Sequence, residues 1–378
     1  MPLTLKLHDS IADIGEAVWE SLRPDDNPFN SFAYLDALEQ SGSVGRRTGW
    51  QPTHVTLSDD DGVRGVMPLY IKSHSMGEYV FDQSWARAYE EAGGAYYPKL
   101  QGSIPFTPVT GARLLSPDVE VRRALIEAGQ RLCDQNRLSS LHVTFPTEEE
   151  WRWMGEAGWL LRQDQQFWWE NDSYNDFNAF LDKLSSNRRK VIRRERRDVQ
   201  ALLNMRWISG NDITENNLDQ LYAFIEDTYD RKWGTGRPYL TRAFFSLAVE
   251  RMRDRVALVF AHDGPRAVAG AINFIGGDTL YGRQWGALVE VPFLHFEVCY
   301  YQAIEFAIQN GLKRVEAGTQ GEHKLARGYL PTPVYSAHYI RDRALRGPVE
   351  RYLIGERAAV REQMAMLAED ASPFKKDA

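Results

Sequence analysis

Residues 256–277 read VALVFAHDGPRAVAGAINFIGG, and residues 54–72 read HVTLSDDDGVRGVMPLYIK. Each is an apolar run, an Asp-Gly turn and a second apolar run; Gly270 stands in one where Gly65 stands in the other. Asp-Gly between two such runs predicts a β-hairpin, because the turn needs backbone conformations that these residues adopt at little cost. Helical periodicity precedes both, over 31–40 before the first and over 214–232 and 241–252 before the second. A helix-rich segment, a hairpin and then strand–helix–strand, occurring twice, predict two copies of one α+β domain. The first spans 1–164 and the second 165–342. Gly347-Pro348 reads as a break ahead of a final charged helix, 349–369, within a C-terminal segment 343–378.

The rest of each copy follows from local signals. Asp118 to Arg137 has the period of an amphipathic helix, Ser140 to Phe145 reads as a strand, and Thr147-Glu148-Glu149-Glu150 is a capping box. In the second copy, residues 293–331 read FLHFEVCYYQAIEFAIQNGLKRVEAGTQGEHKLARGYLP. Val298, Tyr301, Ala303, Ile304, Ala307 and Ile308 lie on one side of a helix that Asn310-Gly311 stops. Leu312 to Ala317 reads as a buried strand. The loop Gly318 to Gly321 then presents Glu322, His323 and Lys324, while His295 and Glu297 open the helix. Titratable groups on a loop at the C-terminal end of a strand are a common active-site layout.

Composition narrows the function. The net charge is −7, so the whole chain does not attract polyanions, yet Arg188 to Arg197, RRKVIRRERR, holds seven basic residues and one acid. In a helix, Val191, Ile192, Val199, Leu202 and Leu203 fall in one arc opposite most of these arginines, a pattern suited to docking on a core while presenting charge to phosphates. Cys133 and Cys299 form neither a disulfide framework nor a zinc pattern, and nothing calls for a metal. No apolar run approaches the about 18 residues of a membrane span, and the start MPLTLKLHDS has no secretory pattern. The expected location is cytoplasmic.

SHSMGEYVFDQSWARAYEEAGGAYYPKLQGSIPFTPVTGARLL (73–115), LHFEVCYYQAIEFA (294–307), GEHKLARGYLP (321–331) and NPFNSFAYLDALEQSG (27–42) resemble the Fem-like group of N-acyltransferases in the GNAT superfamily. The more distant FemABX aminoacyltransferases are similar in layout, with a basic helix opening the second of two GNAT-like domains. The resemblance implies a tandem GNAT fold with its active cleft in the second domain, and transfer of an acyl group to an amine. It also implies a co-substrate donor, acyl-coenzyme A or aminoacyl-tRNA.

Such a transfer needs a base for the ammonium proton and a positive or hydrogen-bonding group for the oxyanion. His323 is the leading base, with Glu322, His295 and Glu297 as further candidates, and Lys324 is the leading oxyanion stabiliser, as a matching lysine in Fem-type domains implies. Leu288-Val289-Glu290-Val291-Pro292, where a pyrophosphate loop would lie, has no glycine and loses an N–H at Pro292. That disfavours acyl-coenzyme A, and Arg188, Arg189, Arg193, Arg194 and Arg197 are expected to hold the phosphates of an aminoacyl-tRNA. Asp82, Trp85, Tyr89, Tyr97 and Lys99, read as loop residues, suit a small-molecule, sugar-like or peptide-like acceptor such as a cell-wall precursor. Arg283, Gln284 and Trp285 are expected to line the second domain's cleft. Two other readings stay open: an acyl-coenzyme A N-acetyltransferase, and a non-catalytic binder of peptidoglycan precursors or peptides.

Overall fold

The computed structural model describes residues 2–234, 237–318, 321–369 and 372–375. They form two compact units, one of 1–164 with 333–361 and the other of 165–332 with 362–378. The chain crosses between units at 164/165, at 332/333 and at 361/362. Residues 333–342, expected in the second domain, pack with the first unit, and so does the first part of the C-terminal segment.

The first unit opens with β1 (Thr4–His8), α1 (Glu16–Leu22) and α2 (Phe32–Gln40), followed by β2 (Trp50–Pro52). Next come β3 (His54–Asp59), β4 (Gly62–Met67) and β5 (Leu69–Lys72), then α3 (Gln83–Glu91) and β6 (Lys99–Gly102). It continues through α4 (Val119–Gln135), β7 (Ser140–Thr144) and α5 (Glu148–Glu156) into β8 (Leu160–Glu170). The predicted hairpin is β3–β4, paired Leu57↔Gly65 and Asp59↔Gly62. β6 and β7 run parallel, Gln101 opposite His142. The capping box at Thr147 forms with both of its hydrogen bonds. Residues 83–91, expected as loop, are helical, so Trp85 and Tyr89 stand on α3 while Lys99 opens a strand.

The second unit continues with α6 (Phe177–Lys183), the basic helix α7 (Ser186–Gln200) and β9 (Asn204–Ser209). Then come α8 (Glu215–Trp233), α9 (Arg242–Met252), β10 (Val256–Asp263), β11 (Arg266–Gly276) and β12 (Thr279–Ala287). The β10–β11 hairpin turns at Gly264, whose φ of 55° is the left-handed value glycine accepts. Helix α10 follows in three pieces, Leu294–Phe296, a π turn Glu297–Tyr301, and Gln302–Gln309. It ends at Asn310 and Gly311 as read. After β13 (Arg314–Glu316), a 3₁₀ turn, Glu322–Arg327, leads to β14 (Leu330–Ile340) and α11 (Arg343–Glu369). Strand order within this unit is β8–β13–β12–β11–β10–β9. Each unit thus pairs an antiparallel hairpin with a parallel strand pair joined by a helix, the tandem α+β arrangement expected.

Two expectations are corrected. Pro348 lies inside α11 rather than before it: the helix already starts at Arg343, where Asp342 Oδ1 accepts from Ala344 N at 2.8 Å. On α7, Ile192 and Val199 are buried, as is Leu203 beyond it, but Val191 and Leu202 are exposed. Among the described residues, no helix is long and apolar enough to cross a membrane.

Helix α8 packs directly on β12 at Gly286, where a Cβ would run into the Phe224 carbonyl. Gly286→Ala is therefore expected to destabilise the protein by about 1–3 kcal/mol, read from the midpoint of urea unfolding.

Candidate functional site

Strand β12 carries a bulge at Arg283: Ile272 pairs with Gln284 and Asn273 with Gly282, leaving Arg283 extra. Bulges bend a strand and commonly lie beside active sites. On its other side β12 pairs in parallel with β13 over only Thr279–Tyr281 and Arg314–Glu316. From Gly282 onward β12 continues without β13, so the two strands part in a fork. Beyond the fork, residues 288–293 lead into α10, and Phe293 takes a left-handed φ of 66°. A cavity of about 610 Å³ lies there, lined by Arg231 and Lys232 of α8, Trp285 and Ala287 of β12, and the 289–296 segment. Glu290 is in the lining, 3.7 Å from Arg231, and the Arg231 guanidinium is also held by Asp227 and by the Ala287 carbonyl.

Lys324 is 1% exposed. Its Nζ donates to the Gly318 carbonyl at 2.7 Å, and no carboxylate lies within ion-pair distance of it among the described residues. Burial lowers its pKa to about 7, because removing a charge from water favours the neutral amine. His323, one residue earlier, is exposed and shares a hydrogen bond from Nε2 to the Tyr300 hydroxyl, 2.9 Å. Burial, then Arg327 and Lys324, push its pKa below the ordinary value, so the ring is neutral at pH 7. His295 lies 6.3 Å from His323 and 4.7 Å from Trp285, ring to ring. Burial, then His323, lower its pKa to about 3. His295, Trp285, His323 and Lys324 therefore gather in one region, joined by Tyr300.

Tyr300 was not singled out from the sequence. It sits on the π turn of α10, and π turns frequently mark functional sites; the only sequence trace is its place in the CYYQ run.

Glu297 is not available as a base. It is fully buried, and its carboxylate accepts from Arg196 (Nε to Oε2, 3.2 Å), Gln200 (2.8 Å) and Gln302 (2.8 Å). The side chain of Glu322 lies outside the described residues. Arg283 and Gln284 are half-buried at the bulge.

The single acid of the basic helix has a definite task. Glu195 is buried and takes both oxygens' bonds from Arg327 Nη2, 2.9 Å each, and one from the Tyr301 hydroxyl. Arg327 Nη1 donates to the His323 carbonyl at 2.8 Å, and its guanidinium lies 3.4 Å from the Phe296 ring centre. α7 is thereby tied to the turn that carries His323 and Lys324. Of its outer arginines, Arg188, Arg193 and Arg194 are exposed, whereas Arg189 is held by Asp182 (3.0 Å) and Arg197 by Asp198 (2.8 Å). Arg193, Arg196 and Arg197 line a second cavity of about 790 Å³.

In the first unit, Asp82 and Lys99 are buried and pair in one network that the half-buried Tyr97 joins through Ser75, with the buried Trp85 packed beside it on His338. Lys99 Nζ donates to Ser75 Oγ (2.8 Å), Glu78 (2.7 Å) and Asp82 (2.6 Å), filling its three bonds. Tyr97 reaches Ser75 at 2.8 Å, and Trp85 packs edge-on against His338 at 5.0 Å. His142, missed in the sequence, bonds Ser140 and His338, both at 2.7 Å. Tyr89 lies apart, donating to Asp342 at 2.8 Å. Burial is the physical reason Asp82, Trp85 and Lys99 are a poor match to an exposed acceptor surface.

A lysine whose folded pKa is depressed costs stability below that pKa, and the cost disappears as pH rises toward the unfolded value. Between about pH 7 and 10.5, wild type should gain stability relative to Lys324→Met by up to about 1.4 kcal/mol per pH unit. Denaturant unfolding of both proteins across that range measures the difference.

The model of a family described as peptidoglycan biosynthesis/recognition, FemAB-like, matches residues 10–376. No curated protein matches the chain by sequence. Among solved structures, FemX superposes with a TM-score of 0.54 at 10% identity, covering 93% of this chain and all of FemX. The C-terminal domain of a candidate lysylphosphatidylglycerol synthetase from Agrobacterium fabrum gives 0.55 at 8% identity, covering 95% and 97%. L-PGS from Bacillus licheniformis gives 0.50 at 11% identity, covering 87% and 96%. At these identities the likeness is one of fold.

Proposed function

Because the chain belongs to the FemAB-like family, we propose that it is an N-acyltransferase that moves an aminoacyl group from a charged tRNA onto an amine of a peptide-like, cell-wall-precursor-like acceptor. One observation carries this reading: a buried lysine with no carboxylate partner among the described residues stands next to an exposed, neutral histidine on one short turn. The amine nitrogen attacks the ester carbonyl and forms the C–N bond. His323 takes a proton from that nitrogen and returns it to the departing sugar oxygen as the C–O bond breaks. Lys324, in its charged form, stabilises the oxyanion between the two steps. The exposed Arg188, Arg193 and Arg194 supply phosphate contacts on the face of α7, and the Glu195–Arg327 pair links that helix to the catalytic turn.

A second reading, an acyl-coenzyme A donor, is favoured by the 610 Å³ cavity at the fork with Lys232 exposed in its wall. Against it stand the glycine-free loop, the missing N–H at Pro292 and the acid at Glu290. A non-catalytic recognition protein predicts that Lys324→Ala leaves the cellular role intact.

Thermal unfolding against coenzyme A, acetyl-coenzyme A and bulk aminoacylated tRNA separates these readings, since a ligand of the native state raises the melting temperature. The expected result is a shift with charged tRNA at low salt that Arg193→Glu/Arg194→Glu weakens roughly tenfold or more. A shift with coenzyme A alone overturns the choice of donor. Once a transfer assay is in hand, kcat/KM should fall as pH rises past about 7, where Lys324 loses its charge. Lys324→Arg, which stays charged, should lose that alkaline decline.

A further inference from the structure

The fork holds one titratable group that none of these steps uses. Glu316 is the last residue of β13 and is 5% exposed. Its Oε2 has no hydrogen-bond partner among the described residues. Arg314, on the same strand, lies 4.0 Å from Oε1, but that guanidinium already donates to Glu170 at 2.7 Å and covers the Trp168 ring at 4.4 Å. The other charges acting on Glu316 are Glu170 of β8 and Arg283 of the β12 bulge. Its neighbours across the two flanking strands, Tyr281 and Trp168, are nearly buried. Burial raises the carboxyl to about 8, with Glu170 adding to the rise and Arg314 and Arg283 opposing it. At neutral pH it is a protonated acid.

An unfilled buried acceptor costs about 1–3 kcal/mol, and this one stands where the parallel pairing stops. Gly318, whose carbonyl holds the Lys324 ammonium, is two residues further on, a span of at most about 7 Å of extended chain. The half-exposed Ala317 and Gly318 leave the strand end near solvent. The site therefore offers an unfilled carboxyl oxygen between two aromatic residues, on the strand that leads to the carbonyl holding Lys324, and this suits a primary ammonium.

We propose that Glu316 receives the ammonium of the acceptor and takes its first proton; this deepens the acyl-transfer reading and rests on it. On docking, the carboxyl releases its proton to solvent and the carboxylate pairs with the ammonium. The ammonium then passes a proton to Glu316, becoming a neutral amine, and the carboxyl is restored. After attack, His323 removes the second proton from nitrogen and delivers it to the leaving oxygen, so that every proton is accounted for.

The test uses n-butylammonium as the probe, titrated calorimetrically into the full chain at pH 7 in two buffers of different ionisation enthalpy, with n-butanol as the uncharged control. Wild type should bind the ammonium and release about one proton per molecule bound. Glu316→Gln, an isostere of the protonated acid, should bind roughly tenfold or more weakly and release none. If Glu316→Gln unfolds, Glu316→Asp replaces it and should weaken binding while keeping proton release. Equal binding by variant and wild type, binding without proton release, or no saturable binding by wild type overturns the proposal. Stabilisation by the acyl donor is read in the same proteins. Ammonium binding that Glu316→Gln leaves unchanged, beside an intact donor shift, sinks this site only, whereas no donor shift in either protein counts against the acyl-transfer reading.

Discussion

The short parallel ladder between β12 and β13 is the constraint from which the second unit's site follows. Three residue pairs hold the strands together, and the Arg283 bulge then bends β12 away. A longer ladder would bring β13 alongside Trp285 and remove the space in which α10 begins. Because the strands separate early, the 289–296 segment can wall a cavity, and the chain leaving β13 can fold back to place Lys324 against the Gly318 carbonyl. Gly286 contributes from the opposite side by letting α8 sit directly on the bent strand.

Two lysines show how the same burial produces different chemistry. Lys99 and Lys324 are both almost fully withdrawn from water. Burial acts to lower both, but Lys99 faces Glu78 and Asp82, whose charges outweigh the loss of solvent and raise its pKa. Among the described residues Lys324 has the neutral Gly318 carbonyl as its partner, and it falls to about 7. A fully paired charge fixes a core, since its donors are all occupied; an unpaired one keeps donors free for a charge that develops during reaction. The contrast places Lys99 in the architecture of the first unit and is what makes Lys324 the residue on which the proposed transfer rests.

What the sequence revealed was what is decided locally. The hairpin at Gly264, the capping box at Thr147 and the stop at Asn310-Gly311 depend on a few adjacent residues, and each forms as read. The turn carrying His323 and Lys324 was legible because glycines flank it. Pairings across the fold were not. Glu297 looked like a free acid at a helix start, but Arg196, a hundred residues away in the chain, fills it. Glu195 counted only as the one acid of a basic segment, but it is the residue that anchors Arg327. Tyr300 owes its position to a π turn, which hydrophobic periodicity cannot register, and Glu316 to a strand end defined only by its partners. Aromatic and charged residues at 82–99 were grouped together, yet whether such a group is surface or core depends on α3 and β7 closing over it.

The most direct measurement is single-turnover transfer: charged tRNA carrying a labelled amino acid, mixed with excess amine-bearing peptidoglycan-precursor peptide, and the peptide's mass followed over time. The account predicts that wild type adds one aminoacyl residue through a new amide bond, and that Lys324→Ala slows this step by about 10²-fold or more, the scale of losing one oxyanion stabiliser. A peptide that gains no mass with wild type, or gains it equally fast with Lys324→Ala, would contradict it.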